Sequence, residues 1–321
     1  MDALEKLLRK HQTSRFLVLD PEGGFGDQLI LLGLEKKLRE MNIHYRLLEI
    51  RKSPLTNKAL AAALNSLPGF QRIIRASRPD IMESRLRQLI GLLGKNSVPT
   101  PNPSEEVILL RGGAYLNDIW KGYGVLQLVS KIVQNKPRAT VIISPQSFYF
   151  DKPQFPKAFT EIEQELHVFC RETESYKLLT SLRHPENVYV HLSADTALYL
   201  SSGDLPVHSR RGTYILIAPR LDRESVVKWR VEKVRKSSRK SIVSKDVNLL
   251  PNFRSFVDIV ANSSTVYTDR LHVSILAAIL NKETYLLPNS YHKNQSAYGF
   301  SLKRFQNVHF INTKEFPLPQ P

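Results

Sequence analysis

The stretch Arg15-Phe16-Leu17-Val18-Leu19-Asp20-Pro21-Glu22-Gly23-Gly24-Phe25-Gly26-Asp27-Gln28 decides the fold class. Its apolar run from Arg15 to Leu19 has the length of a strand and ends in a glycine-rich turn. Beyond the turn, Leu29, Ile30, Leu32, Leu34 and Leu38 recur at helical spacing. Strand, glycine turn and helix together form the first unit of an alternating α/β chain, which argues for a parallel sheet covered on both faces.

Outward from that unit the alternation continues. Tyr45 to Ile50 reads as a strand, Lys58 to Ser66 as a helix, and Glu106 to Leu110 as a strand before a second glycine turn, Arg111-Gly112-Gly113. A helix from Gly124 to Gln134 leads into a strand, Ala139 to Ser144, stopped by Pro145. A second series has strands at Leu166 to Arg171, Val188 to Leu192, Tyr214 to Ala218, Thr265 to Thr268 and Thr284 to Leu287, with helices ending near Leu182 and spanning Phe253 to Ala261 and Leu271 to Leu280. At 321 residues the chain suits two domains. The expectation is two Rossmann-like domains with parallel sheets facing a cleft, a GT-B-like arrangement. The linker Asp151 to Lys157 marks the seam, giving an N-terminal domain over 1–160 and a C-terminal domain over 161–321.

Lys and Arg number 46 against 30 Asp and Glu, a net charge of +16 that points to an acidic partner. Eight basic residues fall between Lys228 and Lys245, opposed only by Glu232. The run reads either as a solvated loop or as a patch for anionic lipid headgroups. Nucleic acid is not expected, because Trp229 is the one stacking residue in the run and no nucleic-acid-binding signature occurs. The single cysteine, Cys170, makes neither an internal disulfide nor a cysteine-based zinc site. No apolar run approaches the roughly 18 residues that span a bilayer, and Met1 to Lys6 lacks a signal-peptide pattern. A cytoplasmic location follows as an expectation.

Ligands of open parallel sheets bind beyond the carboxyl ends of the strands, so residues just after each strand carry the information. The first turn lacks the Lys-Ser/Thr of a P-loop and full dinucleotide spacing; Asp27 either caps the helix or accepts bonds from a ligand's hydroxyls. In Tyr267-Thr268-Asp269-Arg270-Leu271-His272, two basic residues open a helix whose macrodipole disfavours them. Either Asp269 compensates as a cap, or a bound anion does. Arg171, Arg220 and Arg223 end further strands, as salt bridges or as anion contacts. No Ser-His-Asp elbow or HExxH is present, and the nine histidines show no ligand spacing, so no metal site is expected.

Taken in order, these pieces resemble the polysaccharide pyruvyl transferase family over roughly Leu17 to Tyr298. Gly26-Asp27-Gln28 is similar to its early Gly-Asp turn, Arg111 to Trp120 to its second glycine turn, and Ser144-Pro145-Gln146-Ser147 to its Pro-Gln-Ser/Thr strand end. Cys170 to Ser175 resembles the Arg-Glu-x-x-Ser element and Ala194-Asp195-Thr196-Ala197 the Asp-x-Ala element. Ala218 to Glu224, Thr268 to His272 and Pro288 to Lys293 complete the series. Ala114 and Tyr115 depart from the Gly and Asn that relatives often carry, which leaves the acceptor's identity open.

The resemblance implies phosphoenolpyruvate as donor, a sugar of a polysaccharide or its lipid-linked precursor as acceptor, and a pyruvate ketal as product. No cofactor is expected. With that donor, His272 is expected as the acid and Asp27 as the base; Arg171, Arg270, Arg220 and Lys293 as donor ligands in the C-terminal domain; and Asn117, Asp118 and Gln146 as acceptor ligands across the cleft. The Lys228–Lys245 segment would rest on the inner membrane face. The alternatives are a GT-B glycosyltransferase using a nucleotide sugar, or a non-catalytic basic protein that binds membrane or nucleic acid.

Overall fold

The strand that opens the chain's first α/β unit, β1 (Arg15–Pro21), lies second from one edge of a six-stranded sheet. In the computed structural model, residues 2–50, 105–152, 154–207, 212–229, 231 and 240–313 are described. The expected helix at Lys58 to Ser66 and five of the eight basic residues between Lys228 and Lys245 lie outside the described residues.

The other strands of the first sheet are β2 (Tyr45–Ile50), β3 (Glu105–Leu110), β4 (Thr140–Gln146), β5 (Glu165–Cys170) and β6 (Val188–Leu192). All pair in parallel in the order β2-β1-β3-β4-β5-β6. Alternation of side chains distributes each apolar run between two cores: Phe16, Val18, Val107 and Leu109 pack on one face, and Leu17, Leu19, Ile108 and Leu110 on the other. Strand β4 is buried at every position. Truncating Ile142 to Ala there should cost roughly 2–5 kcal/mol.

Among the described residues the α-helices are α1 (Ala3–Lys10), α2 (Phe25–Glu40), α3 (Gly124–Val133), α4 (Lys157–Thr160), α5 (Thr173–Ser181), α6 (Phe253–Ala261), α7 (Leu271–Ile279) and α8 (Lys293–Ala297). A second sheet has β7 (Tyr214–Ala218), β8 (Ser241–Ser244), β9 (Ser263–Thr268), β10 (Glu283–Leu286) and β11 (Val308–Phe310), parallel in the order β11-β10-β9-β7-β8. The architecture is the expected α/β pair of Rossmann-like sheets. Strand order reverses between β1 and β3 in the first sheet and between β7 and β9 in the second. These are the topological switch points where open sheets bind ligands.

The expected seam at 160/161 is corrected. β5 and β6 continue the first sheet, with Cys170 opposite Gln146 of β4, so the chain changes sheet between Leu192 and Tyr214. Every β-α-β unit has the same periodicity, and pairing with one sheet or the other leaves no local mark in sequence. Arg171 therefore belongs to the first lobe and not to the C-terminal one.

Helix α2 ties the lobes together. Its Leu29 joins the core of the second sheet, and Phe25 at its start stacks on Phe256 at 5.7 Å. Thr196 Oγ1 donates to the Ile30 carbonyl at 2.8 Å. A Cβ on Gly33 would lie 1.9 Å from the Thr196 carbonyl oxygen, so only glycine permits this approach.

Candidate active site

The two switch points meet at Gly26 and His272. His272 is the second residue of α7, just after β9, and its ring packs on the bare backbone of Gly26, just after β1. Its Nε2 lies 3.1 Å from Asp195 Oδ2 and 3.3 Å from Arg171 Nη1. Arg171 Nη1 donates to the same Asp195 oxygen at 2.9 Å, and its Nε donates to Ser147 Oγ at 2.8 Å. Nε2 thus faces Asp195 and Arg171, while Nδ1 lies toward Gly26.

Asp195 is buried and follows β6, where its other oxygen accepts from the Ala197 amide at 2.9 Å. Burial alone would raise its carboxyl pKa. The His272 ring and the Arg171 guanidinium more than offset this and hold it far below the ordinary carboxylate range.

A second layer centres on buried Glu224. It accepts from Lys293 Nζ, from Asn289 Nδ2 at 3.1 Å and from Trp120 Nε1 of the first lobe, and Arg220 Nη1 lies 3.3 Å away. Burial is outweighed by Lys293 and Arg220, which hold the carboxyl at about 2. For Lys293 burial prevails: it brings the ammonium down to about 8, against the pull of Glu224 and with the push of Arg220 and Arg171. The Tyr291 ring lies tilted against Tyr149 at 5.4 Å, and its buried hydroxyl has no partner among the described residues.

Arg220 holds Asp222 through two bonds of 2.9 Å. Arg270 donates to Asp246 at 2.6 Å and stands 3.8 Å from Asp222. The positive charges at the start of α7 are thus met by Asp246 and Asp195. Asp269 accepts instead from the Arg220 amide at 2.7 Å, and burial pushes its carboxyl up to about 6. The structure brings Arg171 and His272 into contact, with Lys293 in electrostatic reach of Arg171 and Arg220; Arg270 lies in electrostatic reach of Arg220 and shares Asp222 with it.

On the first-lobe side, each Asp27 oxygen has a partner: Oδ2 accepts from the Gly24 amide at 2.9 Å and Oδ1 from Arg111 Nη1 at 2.8 Å. Burial is overcome by Arg111 and His272, so its carboxyl is held below the ordinary value. Arg111 is buried between β1 and β3 and also bonds Asp20 and the carbonyls of Pro21 and Gly112. Tyr115 faces that guanidinium at 5.6 Å, and its hydroxyl donates to the Arg111 carbonyl.

The expected acceptor ligands do not form an open set. Asn117 bonds the Ala114 carbonyl at 2.7 Å and the Trp120 amide at 2.9 Å. Asp118 accepts from Tyr123 at 3.0 Å and from the Asp151 amide at 2.8 Å, so both fasten the loop they stand on. Gln146 is buried, with Nε2 on the Arg111 carbonyl at 3.3 Å and Oε1 unpartnered among the described residues.

Residues 25–291 match the family model described as polysaccharide pyruvyl transferase. The chain belongs to that family. Among curated proteins it is similar to the "Putative pyruvyl transferase EpsO" of Bacillus subtilis (strain 168), at 27% identity over 222 residues, covering 59% of this chain and 67% of the relative. Among solved structures, the functionally uncharacterized KP1_0663 from Klebsiella pneumoniae subsp. pneumoniae NTUH-K2044 matches with a TM-score of 0.57 and 20% identity over 97% of both chains, a likeness of fold. The Escherichia coli heptosyltransferase WaaC with ADP matches at a TM-score of 0.43 and 13% identity, covering 94% of this chain and 93% of that one.

Arg111, Asp195, Glu224 and Tyr291 lie within the sequence motifs but carry no expected role there. Each follows a strand, the one signal that could mark it as a candidate; its partner on another element is not visible in the sequence. Among the described residues no group of three or more His, Cys, Asp and Glu is arranged to hold a metal ion, and no helix is long and apolar enough to cross a membrane.

Proposed function

We propose that this family member transfers the enolpyruvyl group of phosphoenolpyruvate to a sugar of a polysaccharide or its lipid-linked precursor, forming a pyruvate ketal. The observation that carries the reading is the contact of His272 with Arg171 and Asp195 where the two lobes meet. It supplies a proton donor and guanidinium charge at one point, as a small carboxylated phosphate ester requires.

His272 delivers a proton to the methylene carbon. The central carbon then takes up cationic character and bonds to one sugar oxygen. Cleavage of the carbon–oxygen bond to phosphate follows, and the second sugar oxygen closes the ring. Two hydroxyl protons are lost overall: one is balanced by the new methyl group and one leaves as hydrogen phosphate. Arg171 and Arg270 hold the donor's carboxylate and phosphate, with Arg220 and Lys293 beside them. Asp27, held ionised by Arg111, orients the attacking hydroxyl and takes its proton as the new bond forms. Asp195 holds the imidazole in place. The Lys228–Lys245 segment rests on anionic headgroups where lipid-linked acceptors reside.

The test is phosphate release by the purified chain given phosphoenolpyruvate and saccharide acceptors. Turnover of a nucleoside-diphosphate sugar, with none of phosphoenolpyruvate, would replace this reading by the glycosyltransferase one.

A further inference from the structure

The hydroxyl oxygen of Tyr291 is closed to solvent and has no partner among the described residues, although the residue as a whole keeps some surface. A buried O–H left unpaired costs the folded chain free energy, and native sites rarely carry one without a use. Its surroundings decide what can pair with it. Arg171, Arg220, Glu224 and Glu172 lie in electrostatic reach, and Lys293 Nζ stands 5.2 Å from the centre of the Tyr291 ring. Neither carboxylate bonds the hydroxyl. Glu224 accepts from Trp120, Lys293 and Asn289, and Glu172 from the hydroxyl and amide of Ser175. The guanidinium and ammonium groups are donors with no lone pair to offer. Burial and the charge of Glu224 push the phenol well above its ordinary pKa, so the proton stays in place as a donor.

We propose that the Tyr291 hydroxyl donates a hydrogen bond to an anionic oxygen of phosphoenolpyruvate, the molecule that Arg171 and Lys293 attract by charge; the inference rests on the pyruvyl-transfer reading. An O–H set among donors needs an acceptor, and an oxyanion drawn in by those cations brings one. A neutral donor also adds direction to the pull of Lys293, which acts as a point charge.

Position agrees with chemistry. Tyr291 follows β10 in the second lobe, and its ring lies against Tyr149, which follows β4 in the first. The residue thus stands where the lobes meet. Arg171 and Lys293 are as closed as the hydroxyl, at 2% and 3% exposed, so a separation of the lobes that admits the donor to them admits it to Tyr291 as well.

The experiment compares the native chain with Tyr291→Phe, which keeps the ring and removes the O–H alone. Without ligand, the variant's unfolding temperature should equal the native value or exceed it by about 2 °C, because a buried unpaired group is gone. Titration calorimetry with phosphoenolpyruvate, and no acceptor present, should show Kd raised about ten- to a hundredfold. Inorganic phosphate and pyruvate, titrated in the same way, locate the bond: the variant should weaken phosphate if the hydroxyl meets the phosphoryl end, and pyruvate if it meets the carboxylate. A variant that binds phosphoenolpyruvate as the native chain does would overturn the proposal. Native binding together with a lowered unfolding temperature would overturn it too, and make the hydroxyl a partner of structural water. A native chain that binds no phosphoenolpyruvate would overturn the pyruvyl-transfer reading itself, whereas equal binding by native chain and variant removes this inference alone.

Discussion

The imidazole of His272 fills the space that any side chain at position 26 would need: a Cβ built on Gly26 lies 2.6 Å from Nδ1 and 2.8 Å from the ring's Cγ. The glycine of the first-lobe turn is thus a seat for the second lobe's histidine. Gly26→Ala should displace the ring, costing about 1–3 kcal/mol in overpacking and about a hundredfold in turnover through misplacement. Thermal unfolding and phosphate-release kinetics measure the two effects. A variant with native turnover would remove His272 from the chemistry.

Asp195 acts through its neighbours. Asp195→Asn leaves Arg171 buried without its carboxylate, an exchange that should cost about 3–5 kcal/mol, and kcat should fall more than the apparent affinity for phosphoenolpyruvate. Acid unfolding reports the same network. The folded pKa of Asp195 and that of Glu224, about 2 against an ordinary 4.5, are depressed. Their stabilisation is therefore complete above the ordinary carboxylate range and is lost as pH falls through the folded values, on the order of 3 kcal/mol for Glu224. Asp195→Asn should flatten the acid limb of stability against pH, and an unchanged limb would deny the coupling.

Much of this arrangement was legible from sequence. Apolar runs of strand length and the helical spacing after Asp27 fix the elements because burial on both faces of a parallel sheet leaves a strong periodic mark, although β4 runs through Pro145, the expected stop, to Gln146. Strand ends mark the candidate residues, and Arg171 and His272 do meet. Which sheet β5 and β6 join was not legible, since it depends on hydrogen bonds between β4 and β5 across distant sequence. Nor was the pairing of cations: Arg270 finds Asp246 and Arg111 finds Asp20 and Asp27 only once strands lie side by side. That Asn117 and Asp118 also satisfy backbone groups of their own loop was not legible either, since those bonds form only in the folded turn.

Arg270 tests whether a guanidinium already paired with a carboxylate still serves the donor. Arg270→Ala strands Asp246, which is nearly buried, so the single variant should lose both stability and donor binding. Adding Asp246→Asn removes the stranded charge and should recover most of the stability. The rise in unfolding temperature with millimolar phosphoenolpyruvate should stay absent in the double variant. A double variant with the native ligand shift would make Arg270 a purely structural partner of Asp246.

Lys293 gives a pH dependence of stability of the same sign as the acids, in a higher window. Its folded pKa of about 8 lies below the ordinary 10.5, because burial outweighs the attraction of Glu224. Between those values the unfolded chain keeps a proton that the folded chain has lost. Linkage therefore makes this residue's contribution to stability rise with pH from about 8 to about 10.5, by on the order of 3 kcal/mol in total. Donor binding runs the other way, because only the protonated ammonium attracts the trianion, and its KM should climb above pH 8. Lys293→Met removes both dependences while leaving Arg220 beside Glu224. Paired pH series of unfolding temperature and of KM for phosphoenolpyruvate decide the matter: a native KM flat from pH 7 to 9.5 would exclude Lys293 from the donor's contacts.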